Sequence, residues 1–182
     1  MRVLLLAVTL LAMTSLLVAQ ETRTEVTKPT TPADEAKANN DSIPDVYTLN
    51  GQFERVVVLR FKYQADLLAG MEKMVKEQKI RNAVILAGAG SLTGYHFHLV
   101  SNRTFPSKNI FIKNPAAPAD LVSMNGYIID GRIHAHMTLT NEDKAFGGHL
   151  ESGTTVFTFA IVTVGVFKDG IDLRRIDDKT YR

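Results

Sequence analysis

The feature that most limits what this chain can fold into is a succession of β-branched, alternating stretches running from Glu54 to Phe167. ERVVVLRFK (54–62), NAVILAG (82–88), LTGYHFHLV (92–100), NIFIK (109–113), DLVSMNGYIID (120–130), GRIHAHMTLT (131–140) and TTVFTFAIVTVGVF (154–167) all read as strands. A single stretch breaks the series. ADLLAGMEKMVKEQK (65–79) sets Leu67, Leu68, Met71, Met74 and Val75 at helical spacing with charges opposite. Asp66 near its start and lysines at its end suit the helix dipole. One helix followed by strands predicts an α+β fold with a mostly antiparallel twisted sheet. Asp130-Gly131 marks a tight hairpin between two of the strands.

The glycines of AGAGSLTG (87–94) do not make a nucleotide loop. A dinucleotide fingerprint needs glycine at position 93, where Thr93 stands, and the Lys-Ser/Thr pair of a phosphate loop is missing. Gly88, Gly90 and Gly94 are read instead as a bend where one strand passes into the next.

Ahead of the domain, Arg2 precedes an uncharged run from Val3 to Ala19. A positive start, an apolar middle and a small residue at the cut predict a signal peptide over residues 1–19. An uncleaved anchor is the alternative, because the run nears the ~18 residues a membrane helix needs. With cleavage no membrane span is expected, and the protein is periplasmic or secreted. Residues 20–44 are rich in Thr, Pro, Ala, Asn and charge without apolar periodicity, and read as a flexible linker. The domain then occupies 45–182. The chain has no cysteine, so disulfides are excluded and the fold rests on its core, on assembly or on a metal. A formal charge of +2 gives no electrostatic footprint for nucleic acid. The C-terminal LRRIDDKTYR alternates in sign and reads as a solvated strand end.

Chemistry concentrates in GRIHAHMTLTNEDKAFGGHL (131–150), which holds three of the five histidines. Strand alternation puts Ile133, Ala135, Met137 and Leu139 on one face and His134, His136, Thr138 and Thr140 on the other. The two imidazoles then stand roughly 7 Å apart at their Cα atoms. His149 follows a turn read over NEDKAFGG, where Gly147 and Gly148 give the backbone freedom to aim it at the pair. Three histidines around an open position suit a catalytic zinc ion; a polar sheet face that merely carries histidines is the alternative. YHFHLV repeats the parity with His96 and His98, and is read as a polar face.

These motifs, in this order, resemble the plants-and-prokaryotes-conserved (PPC) domain. The resemblance spans residues 54–177: LRFKYQADLLAGM, the AGAGSL turn, the LVSMNG strand, the DGRIHAH pattern at 130–136 and GGHLESG at 147–153. It implies a fold similar to acetolactate decarboxylase, a homotrimer, and His134, His136 and His149 as ligands of zinc or another divalent transition metal. A small oxygenated ligand or substrate is the expected partner of such a metal, with Glu142, Asp143 and Glu151 the nearest acids in sequence. The family often carries an acid in the strand after GGHL, where this chain has Ala160. No AT-hook is present to support the family's DNA-binding label. A DNA-binding module and a metal-free trimeric assembly domain are the competing readings.

Overall fold

The computed structural model describes residues 20–26, 40–103 and 105–178. It bears out the α+β class: the described residues form one main helix, α1 (Leu67–Glu77), and eight strands joined in an antiparallel sheet. The strands are β1 (Thr22–Val26), β2 (Phe53–Lys62), β3 (Ala83–Val100), β4 (Asn109–Asn114), β5 (Ala119–Ile129), β6 (Arg132–Thr140), β7 (Ala145–Leu150) and β8 (Thr155–Phe167).

The helix starts where its capping chemistry dictates. Asp66 Oδ1 accepts from the Ala69 amide at 2.9 Å, satisfying an amide that the first turn leaves open. Leu67, Met71 and Val75 are its buried stripe. Gly70 lies directly against the Phe61 ring, so helix and β2 approach closely at that point.

The two strands read across 82–100 are one 18-residue strand, β3, whose register shifts near Ile85, Gly90 and Leu92. The glycines are its bulge points rather than a break. A side chain at Gly88 would meet Met124, and one at Gly90 would meet Ala160. The length of β3 has a topological result. Its first half lies between β5 and β8, and its second half between β4 and β7. The path β3–β5–β6–β7 therefore returns to β3 and closes a ring. Phe97, Leu121, Met137, Leu139 and Leu150 are buried, and Tyr95 and Phe97 pack on Phe146.

Two further stretches depart from expectation. Within the segment read as linker, Thr22–Val26 adds to the β4 edge, and Glu21 accepts a 2.8 Å hydrogen bond from the buried Tyr95 hydroxyl. Burial and that carboxylate push the Tyr95 hydroxyl up to about 12. AFGG, read as part of a turn, lies in β7; the turn is confined to residues 141–144. Asp130 and Gly131 make the expected hairpin, both with positive φ. No helix among the described residues is long and apolar enough to cross a membrane. The expected signal, residues 1–19, lies outside the described residues.

Candidate metal centre

Register alone assembles the site. His136 pairs with His149 across β6–β7, His149 pairs with His98 across β7–β3, and Asn125 pairs with His136 across β5–β6. Four side chains from four strands thus form one row. Each histidine alternates with a core residue: Phe97 beside His98, Met137 beside His136, Leu150 beside His149. The parity expected for β6 holds, with Ala135, Met137 and Leu139 buried. The glycines make the row narrow. A side chain at Gly148 would collide with the His98 carbonyl, and one at Gly147 with the Met137 carbonyl.

His98 and His149 stack with ring centroids 4.5 Å apart. His98 Nδ1 stands 2.6 Å from Glu151 Oε1, so an Nδ1–H donates to the carboxylate, while His149 Nδ1 lies 3.7 Å from the same oxygen. Glu151 is held by its surroundings. Its amide donates to the His96 carbonyl at 3.1 Å, and the fully buried Thr154 hydroxyl reaches the carbonyls of His96 and Glu151. Asp66, the helix cap, also accepts from the Gly153 amide at 2.6 Å, tying the 151–154 turn to α1. Burial, reinforced by the neighbouring histidines His98, His134 and His136, lowers the His149 pKa to about 4. His136 is lowered too, first by burial and then by His134 and His98. Neutral imidazole is the form that ligates a metal.

The expected three-histidine set is corrected by this geometry. Among the described residues, the group whose ligand atoms all lie within 4.8 Å of one another is His98, His149 and Glu151. His134 and His136 do come close to His149, with centroids at 5.0 and 5.3 Å, but edge to face. Their nitrogens are turned elsewhere. His134 Nε2 and His136 Nε2 are 3.2 Å apart, and His134 Nδ1 lies 3.1 Å from the Asp177 carboxylate. His98, read as part of a plain polar face, is a member of the cluster; His96 instead bonds the Ser152 carbonyl and stays outside it. Of the acids nearest in sequence, Glu151 is the one that joins.

The cluster fits a metal. Donors around a tetrahedral zinc stand roughly 3.3 Å apart given metal–ligand bonds near 2.0–2.2 Å. The ligand atoms, one pair of them at 2.6 Å and all within 4.8 Å of one another, are near that spacing. Two histidines and a glutamate, leaving a fourth position open, are a donor set of catalytic zinc sites. A cation held by His98, His149 and Glu151 would take the place of the proton between His98 and Glu151.

Residues 48–168 match the model of the Plants and Prokaryotes Conserved (PCC) domain. The chain belongs to this family. Solved structures agree on the PCC fold. A metal-containing protein of Archaeoglobus fulgidus aligns at 21% identity and TM-score 0.62, over 74% of this chain and 95% of its own. A plant- and prokaryote-conserved protein of Pyrococcus horikoshii aligns at 23% and 0.58, over 75% and 93%. A Salmonella protein described as hypothetical aligns at 21% and 0.56, over 66% and 83%. No curated protein matches. Ala160, where the PPC resemblance called for an acid, is fully buried and pairs with Gly90 across β3–β8.

Proposed function

We propose that this PCC-domain protein binds one divalent transition metal per subunit through His98, His149 and Glu151. The observation that carries the reading is the gathering of those three ligand atoms on a framework fixed by Thr154 and Asp66. The metal-containing Archaeoglobus relative supports it at the level of fold. Two imidazoles and a carboxylate suit zinc first, and also iron, copper or nickel. A bound ion of this kind polarises an oxygen ligand or lowers the pKa of a bound water. The residues themselves position it: β3 and β7 present the two rings, and the clamped turn presents the carboxylate.

The Arg2-to-Ala19 pattern supports action outside the cytoplasm, and intact mass of protein from the native cell should show a chain starting at or near Gln20. A row of exposed apolar side chains on β2 and β8 supports self-assembly as a trimer.

Metal content measured on purified variants tests the central claim. His98→Ala, His149→Ala and Glu151→Gln each bring bound metal well below one ion per subunit, whereas His96→Ala leaves it unchanged. Full occupancy in both His98→Ala and Glu151→Gln overturns the assignment.

A further inference from the structure

Beside the histidine row lies a cavity of about 570 Å³, within the roughly 300–1,000 Å³ range of small-molecule sites. Its floor belongs to the sheet, with Asn125, Tyr127, His134 and His136 among the lining residues. Its other wall comes from chain outside the family domain. Tyr47, Ile171, Leu173, Ile176 and Asp177 all line it, and all fall outside residues 48–168. The flanks of the family-matched region therefore supply one wall of the cavity.

The C-terminal stretch that makes this wall is anchored at two points. Leu173 is buried, and Asp177 receives Arg132 at 3.2 Å and His134 Nδ1 at 3.1 Å. The second contact has a chemical result. With Nδ1 beside the Asp177 carboxylate, His134 turns Nε2 toward His136 Nε2, 3.2 Å away. The polar end of the cavity is then an imidazole pair plus the Asn125 amide, offering both donors and acceptors. The Asp177 carboxylate already faces Arg132 and His134 and is not a free charge for a cationic ligand. An additional anion at that end meets the Asp177 charge. The rest of the lining side chains are aliphatic or aromatic, with the Tyr47 and Tyr127 hydroxyls as further polar groups.

We infer that this cavity is a binding site for a small, uncharged, largely apolar molecule carrying a hydroxyl or carbonyl oxygen. The oxygen meets Asn125 and the His134–His136 pair, and the body lies between Tyr127 and the C-terminal wall. The inference does not depend on the metal, since none of the three proposed ligands lines the cavity.

2-Naphthol is a suitable probe: it is neutral at pH 7.5, and the chain has no tryptophan to mask its emission. Titrated into the full chain, it should bind saturably at one site per subunit, equally in metal-loaded and chelator-treated protein. Naphthalene-2-sulfonate, the charged analogue, should bind at least tenfold more weakly. Ile176→Asp, at an exposed wall position, should weaken 2-naphthol at least tenfold. Asn125→Leu should abolish the preference for 2-naphthol over naphthalene-2-sulfonate's uncharged parent, naphthalene. Absence of saturable binding, binding only in metal-loaded protein, or affinity unchanged in both variants would each overturn the assignment.

Discussion

His98 and His149 are direct partners across the β3–β7 seam, with their rings stacked 4.5 Å apart. That contact exists because β3 runs on past its pairing with β5 and meets β7 as the ring closes. It ties the candidate metal centre to a pairing between residues far apart in sequence. It also places two imidazoles where protonating one disfavours protonating the other.

One consequence is electrostatic. After burial, the charge of His98 does most to hold His149 near pKa 4. In metal-free protein, His98→Ala should therefore raise the His149 pKa part of the way toward 6.5, burial, His134 and His136 keeping the remainder. An NMR titration of the His149 ring protons reads this directly. A His149 pKa that stays near 4 in the variant would remove His98 from the causes of the depression.

The same depression sets a pH dependence for the metal-free fold. His149 titrates near 4 when folded and near 6.5 when unfolded, so between those values the unfolded chain binds more protons. Stability should be full above about pH 6.5 and fall as pH drops toward 4. His136, lowered in the same direction, adds to the slope. Urea midpoints measured from pH 7.5 to pH 4 should fall for the parent and fall less for His149→Gln. Parallel curves for the two proteins would remove His149 from the account.

Gly148 controls the width of the seam. A methyl group there would press on the His98 carbonyl and the Phe97 ring, so Gly148→Ala should part β7 from β3. The expected cost is about 1–3 kcal/mol, the usual range for overpacking a well-filled site. Metal affinity should fall in parallel, because the His98–His149 spacing widens. Chemical denaturation and metal titration of the one variant check both effects. Lost metal affinity with unchanged stability would contradict the steric explanation.

How much of this was legible in the residues depends on range. The helix stripe of Leu67, Met71 and Val75, the Asp66 cap and the Asp130-Gly131 hairpin are local patterns, and the structure follows them. The alternation that turns His136 away from Met137 is equally local. Which strand lies beside β7 is not. Nothing within YHFHLV says that His98 will face His149, because that depends on the ring closing through three other strands. Glu151 was visible as a nearby acid, but its aim comes from Thr154 and Asp66, the latter 85 positions earlier in the numbering. Asp177 sat in a stretch whose alternating charges resemble solvated surface, and its pairing with His134 is a tertiary fact. The H-x-H motif correctly marked the neighbourhood and did not fix which nitrogens converge.

The outer face of β2 and β8 carries the last prediction. Arg60 lies opposite Ile161, Val58 opposite Thr163 and Lys62 opposite Phe159, so these side chains share the face turned away from Leu59, Phe61 and Val162. Val56, Val58, Phe157 and Phe159 are between 43% and 63% exposed there, far more apolar area together than scattered surface hydrophobes provide. Burying that face against copies of the same chain removes it from water at about 25 cal/mol per Å². A charge placed in it opposes association without touching the core or the metal ligands. Val58→Glu should therefore convert the proposed trimer to monomer in light scattering coupled to size exclusion, while bound metal stays near one ion per subunit. A parent chain that is monomeric at tens of micromolar would refute assembly through this face, and a Val58→Glu variant that remains trimeric would move the interface elsewhere.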